Sequence, residues 1–298
     1  MSDRAGRRAP AGFTAEQWAA FDRDGFLVVE DAFSDAELAA WTDAVLRLRR
    51  ERAGAAGFFT LQNFVEVDPS FASLIDHPAY VGLAYDLYGE LLKLQLSELF
   101  VRSPGDGARP ERWHIDGPRT TPYAAFTGDA PMQVKFGVWL TDVAEHDMGN
   151  LAFVPGSHRD AWFDAYDTDE SPPGEEVLTV RRGSLTLMNT ALWHRTTANR
   201  SRRTRLNLYL GYSPSWLPTT DRAVSDPDWL ATLNREQRII MRSYSTPYAH
   251  AKPPADDYPL FLDRETGLDR EPGRYRDHIR LFHRKRTTAL ERWRREPR

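Results

Sequence analysis

The 298 residues, 41% hydrophobic and 12% aromatic with nine tryptophans, have the composition of a globular protein, which excludes the disordered and fibrous classes. A net charge of −4 leaves no electrostatic footprint for nucleic acid. With no cysteine there is neither disulfide nor thiolate chemistry, and any metal must be held by His, Asp and Glu, a set that suits iron, manganese or zinc.

The opening MSDRAGRRAPAGF lacks the apolar run of a signal peptide, and no stretch reaches the roughly 18 apolar residues of a membrane span. The expectation is a cytoplasmic protein whose partner is a small molecule. Thr14-x-x-Gln17 is a capping box, with Phe13 and Trp18 placed as its hydrophobic staple, and predicts a helix start. Ser34-x-x-Glu37, flanked by Phe33 and Leu38, predicts a second helix running to the glycine at 54. The run GFLVVEDAF between them reads as a strand. HPAYVGLAYDLYGELL, residues 77–92, predicts a helix with Pro78 in its first turn, so residues 1–92 form a mostly helical part.

From residue 93 the period becomes two. KLQLSELFVRS, MQVKFGVWLTD and RTRLNLYLGYS alternate like half-buried strands, and EVLTVRRGSLTLMN reads as two strands about a glycine. Short strands with Pro/Gly turns predict an antiparallel sandwich or barrel over 93–216. Beyond it, DPDWLATLNREQRIIMRSY predicts a helix, followed by a proline-rich loop and a basic helix to residue 298. With no clear linker, 1–298 is expected to form one domain, its 217–298 part a helical and irregular extension.

His-x-Asp occurs twice, as His114-Ile115-Asp116 and His158-Arg159-Asp160. On a strand, residues i and i+2 share a face, so either pair can converge on one cation. His158 ends VPGSH, a turn signal, whereas His114 sits between Trp113 and Gly117; context favours His114 with Asp116. A two-histidine, one-carboxylate triad needs one more imidazole, and His194, which closes GSLTLMNTALWH and also follows a tryptophan, is the candidate. In RTRLNLYLGY the leucines at 206, 208 and 210 share one face; if they pack outward, Arg205 points into the barrel, where its planar fork suits a carboxylate. A surface arginine is the alternative.

Together, HID (114–116), WLTD through GNLAFVPGSH (139–158), GSLTLMNTALWH (183–194), Arg205 and the opening FDRDGFLVVEDAFSDAEL resemble the phytanoyl-CoA dioxygenase-like family of iron(II)- and 2-oxoglutarate-dependent oxygenases. The resemblance implies a mainly β fold with flanking helices around a double-stranded β-helix, the cupin-like jelly roll. It implies Fe(II) held by His114, Asp116 and His194, with 2-oxoglutarate and O2 as cosubstrates. It also implies that Arg205 and Thr196 bind the distal carboxylate of 2-oxoglutarate, with Trp139 and Arg102 nearby. Retention of Asp116 speaks against the related halogenases, which lack that carboxylate. The expected activity is hydroxylation of a C–H bond, with release of succinate and CO2. The substrate is expected to be a medium-sized, partly apolar organic molecule, a secondary-metabolite intermediate, met by Phe59, Gln62, Arg119 and Trp216. Desaturation, epoxidation or cyclisation on the same scaffold, and a non-oxidative binding jelly roll, remain open.

Overall fold

Thr14 Oγ1 accepts from the Gln17 amide at 3.1 Å and the Gln17 side chain accepts from the Thr14 amide, so the capping box starts α1 (Ala15–Asp24), with Phe13 edge-on to Trp18 at 5.3 Å. A computed structural model describes this and the other residues discussed: 7–53, 57–106, 110–116, 131–159 and 170–244, with 246, 249, 254, 257 and 259–261. After β1 (Phe26–Val29), Ser34 and Glu37 cap each other in the same way and open α2 (Asp35–Ala53). Then follow β2 (Phe59–Gln62), α3 (Val81–Tyr88), β3 (Leu92–Arg102), β4 (Val134–Trp139), β5 (Leu151–Phe153), β6 (Glu176–Val177), β7 (Leu185–Asn189), β8 (His194–Thr196) and β9 (Arg205–Pro214).

Two expected helices are shorter than their sequence patterns. Only Val81–Tyr88 of 77–92 is α-helical, because Gly89 adopts φ +56, which an L side chain resists, and a 3-10 turn at Gly89–Leu91 leads into β3. The stretch 226–244 divides into α4 (Pro227–Thr232) and α5 (Arg235–Met241), since Leu233 is extended and Asn234 caps a new helix with Gln237. The expected basic C-terminal helix lies outside the described residues. No helix among those described is long and apolar enough to cross a membrane.

The strands form a jelly roll. One sheet runs β1-β7-β4-β9-β3-β2 and the other β6-β5-β8, with every pairing antiparallel. Reciprocal backbone bonds between His114 and His194, at 3.0 and 2.9 Å, lay the 111–116 segment along the open side of β8 as a further strand. Along β9, Leu206, Leu208 and Leu210 face the helices and join Leu99, Val101, Phe136, Val138 and Leu187 in the main core with Trp41, Phe64 and Phe71. Each leucine buried there contributes about 2 kcal/mol. The opposite face of the strands, carrying Arg205, Asn207 and Tyr209 on β9, turns into the space between the sheets.

Candidate metal centre and anion pocket

His114 and His194 face each other across the bridge, ring centroids 4.4 Å apart. Their Nδ1 atoms lie 2.9 Å from Arg112 O and 2.8 Å from Leu192 O. A carbonyl only accepts, so each Nδ1 carries the proton and each Nε2 keeps a free lone pair. The preceding tryptophans point the other way: Trp113 and Trp193 pack with Ala152 on the far face of the small sheet, where the Arg195 guanidinium covers Trp113 at 4.6 Å. The tryptophan before each histidine thus anchors its strand and turns the imidazole inward.

Asp116 is fixed by its amide, which donates to Thr190 O at 2.9 Å, and its Oδ2 lies 3.7 Å from His194 Nε2. One ligand atom from each of His114, Asp116 and His194 lies within 4.8 Å of the others. Asp116 Oδ2 has no hydrogen-bond partner among the described residues, although Lys135 Nζ approaches it to 2.9 Å as an ion pair. Burial alone would raise the Asp116 carboxyl, but the Lys135 ammonium, with His194, holds it well below the usual carboxylate range. Burial pulls His194 down to about 4, against the upward effect of Asp116, so the imidazole is neutral at pH 7. An anionic carboxylate and a neutral imidazole are the protonation states that ligation requires.

From this cluster a cavity of about 200 Å³ extends between the sheets toward Arg205. Arg205 is 3% exposed; its Nε donates to Asn207 Oδ1 at 2.9 Å, its Nη1 to Gly149 O, and its guanidinium stacks on Trp139 at 5.0 Å. Trp139 is held in turn by Nε1 donating to Thr186 Oγ1 at 3.2 Å. No carboxylate among the described residues lies within ion-pair distance of Arg205, and burial pulls its pKa down to about 10, which leaves it charged at neutral pH. A buried cation without an anion is costly unless a ligand completes it. Thr196 lines the same cavity, whereas Arg102 already pairs with Glu111 and lies over the Phe58 ring at 5.0 Å. Among the described residues the Nε of Arg102 and Nδ2 of Asn207 are buried without a hydrogen-bond partner, further donors for an anion.

The structure brings together His114, Asp116, His194, Arg205, Thr196, Trp139 and Arg102. Of the residues expected to meet substrate, Gln62 donates to Glu98 Oε1 at 3.3 Å, at the edge of the cavity. Phe59 does not reach it, because the register pairs it with Val101 and turns it into the core. Trp216 is 58% exposed and apart from the cavity lining, and Arg119 lies outside the described residues. Sequence reasoning missed Lys135, Glu98, Glu111, Phe100 and Tyr209, which line the cavity. The signal was present for Lys135, in phase with Gly137 and Trp139 on β4. Glycine is required at 137 because a Cβ would sit 2.9 Å from Tyr209 Cε1.

Comparison with known proteins agrees with this geometry. The family model described as Phytanoyl-CoA dioxygenase (PhyH) matches residues 21–207. An ectoine dioxygenase of Bordetella bronchiseptica is 30% identical over 158 residues, 49% of this chain and 50% of that protein, so the chain spans about half the length of this relative. An ectoine dioxygenase of Sphingopyxis alaskensis is 28% identical over 239 residues, 68% of this chain and 76% of that protein. Among solved structures, HygX from Streptomyces hygroscopicus with nickel and 2-oxoglutarate bound superposes with a TM-score of 0.59 at 21% identity, over 70% of this chain and 90% of that one.

Proposed function

The chain belongs to the phytanoyl-CoA dioxygenase family, and on that footing we propose that it is an iron(II)- and 2-oxoglutarate-dependent oxygenase that hydroxylates a C–H bond of a small organic molecule, a secondary-metabolite intermediate. One observation carries the reading: a two-histidine, one-carboxylate donor set, its His194 imidazole neutral, opens one end of a cavity whose other end is a buried arginine without a carboxylate among the described residues. The donor set fits iron(II), because both Nε2 lone pairs and Asp116 Oδ2 are unspent on hydrogen bonds among the described residues.

In this proposal His114, Asp116 and His194 hold the metal. Iron(II) bound there with 2-oxoglutarate and dioxygen supplies the oxidant for the substrate C–H bond, with succinate and carbon dioxide released. The remaining work is positioning by the chain. Arg205 grips the distal carboxylate of 2-oxoglutarate, Thr196 hydrogen-bonds it, and Trp139 keeps the guanidinium flat and aimed. Arg102 is a second cation for that carboxylate when Glu111 yields. Lys135 keeps the Asp116 carboxylate turned toward the two imidazoles. The net charge of −4 and the absence of a membrane-spanning helix among the described residues support a small-molecule enzyme of the cytoplasm.

The protein purified without oxygen should bind about one equivalent of iron(II) and convert 2-oxoglutarate to succinate in step with substrate oxidation. Replacing His114 and His194 together by alanine should abolish both; tight iron binding that survives the double substitution would overturn the ligand assignment.

A further inference from the structure

The wall beyond the candidate ligands is charged. Lys135 rises from β4 opposite Gly211 of β9 and Met188 of β7, and its ammonium lies 2.9 Å from Asp116 Oδ2 and 3.4 Å from Glu98 Oε2, with the Tyr209 ring at 6.0 Å. Glu98 comes from β3, opposite Tyr209, and Gln62 bridges its other oxygen to the rim. Lys135 springs four residues along β4 from the Trp139 that covers Arg205, roughly 13 Å at the rise of a strand. The Lys135–Glu98 pair therefore stands at the ligand end of the cavity, remote from the anchor for the cosubstrate's distal carboxylate, where the bond to be oxidised must lie.

A charge inventory narrows what can enter. The cavity lining carries three cations, Arg102, Arg205 and Lys135, and three anions, Glu98, Glu111 and Asp116. Iron(II) and the 2-oxoglutarate dianion cancel each other, so the loaded site has no net charge to set against a charged substrate. A hydrocarbon surface laid on Lys135 and Glu98 would strip both of water without returning hydrogen bonds, which is costly. An ammonium and a carboxylate side by side offer donors and acceptors together, which adjacent hydroxyl or amino groups satisfy.

Resting on the oxygenase reading above, we propose that Lys135 and Glu98 determine which substrate this site accepts. The substrate is a neutral or zwitterionic molecule of the polyol class, its neighbouring polar groups bound across the pair. This differs from the partly apolar molecule expected from the aromatic residues of the sequence.

Succinate release by the iron-loaded enzyme is measured with cyclohexanol, myo-inositol and glucose, uncharged ring probes of similar size that differ in polar groups; equilibrium dialysis of myo-inositol against the anaerobic enzyme gives affinity independently of turnover. The polar probes should stimulate release above the probe-free rate and cyclohexanol should not. Glu98→Gln, nearly isosteric and out of contact with the ligand residues, should raise the myo-inositol dissociation constant about tenfold, the cost of one charge-assisted hydrogen bond, while the KM for 2-oxoglutarate moves less than about twofold. Glu98→Asp should recover part of the loss. Lys135→Met, with iron content measured alongside, should weaken myo-inositol similarly. Cyclohexanol stimulating as well as myo-inositol, or a myo-inositol constant unmoved in both Glu98→Gln and Lys135→Met, overturns the proposal. Iron-independent behaviour in every arm, with myo-inositol still bound in dialysis, would instead sink the oxygenase reading and leave the recognition pair standing.

Discussion

Arg205→Met tests the anion anchor most directly. The guanidinium has five N–H donors. Asn207 takes Nε, Gly149 takes one from Nη1, and Tyr209 lies beside the guanidinium, which leaves donors over for a carboxylate in the cavity. Removing the cation from a desolvated ion pair costs about 3–4 kcal/mol, so the KM for 2-oxoglutarate should rise about 100- to 1000-fold. Folding should respond quite differently. Depression of the Arg205 pKa to about 10 by burial means that the charged form is disfavoured in the folded protein by roughly 3 kcal/mol. Methionine removes that penalty but leaves Gly149 O and Asn207 Oδ1 short of a donor, at about 1–3 kcal/mol each. The two effects nearly cancel, so the thermal midpoint of the ligand-free protein should shift by only a few degrees. Succinate release against 2-oxoglutarate concentration gives the first quantity, and a melting curve with iron titration the second. A KM changed less than about threefold, with iron affinity intact, would show that another cation holds the carboxylate and refute the reasoning.

Glu111→Gln removes the carboxylate that occupies Arg102, and the KM for 2-oxoglutarate should fall about fivefold, the worth of a half-exposed ion pair; a rise would mean that Glu111 shapes the pocket instead of competing for it. Leu208→Ala empties a fully buried position in the main core and should cost about 2–5 kcal/mol in urea unfolding, with turnover per folded molecule unchanged. Burial, aided by Arg222 and Arg242, pulls the Lys93 ammonium down to about 8 from 10.5. Between those values the folded state holds fewer protons than the unfolded one, so stability should rise with pH over that interval and plateau above it. Melting curves of Lys93→Met should lose the rise.

The candidate ligand set was legible because a strand has a period of two: His114 with Asp116, and His194 with Thr196, fall on one face whatever the rest of the fold does. Arg205 was legible for the same reason, once the leucines of β9 were read as the outward face. What stayed hidden depends on register between strands distant in sequence. Nothing in VKFGVW shows that Lys135 will meet Glu98 and Asp116, because that requires β3, β4 and the 111–116 segment to be aligned. Phe59 reads like a pocket residue until its pairing with Val101 turns it into the core, leaving Phe58 to cover Arg102. The split of the 226–244 helix turned on Asn234 and Gln237, whose capping box competes with continuation of the helical pattern.

The candidate ligands and the anion anchor belong to different sheets: His194 rides on β8 of the small sheet and Arg205 on β9 of the large one. A molecule gripped at both ends is a strut across the sandwich. Its tension is borne by the backbone bonds that clamp His114 to His194 and by the ladder that joins β9 to β3 and β4. Occupancy is thereby translated into stiffness, and amide exchange in both sheets should slow together when the strut is in place.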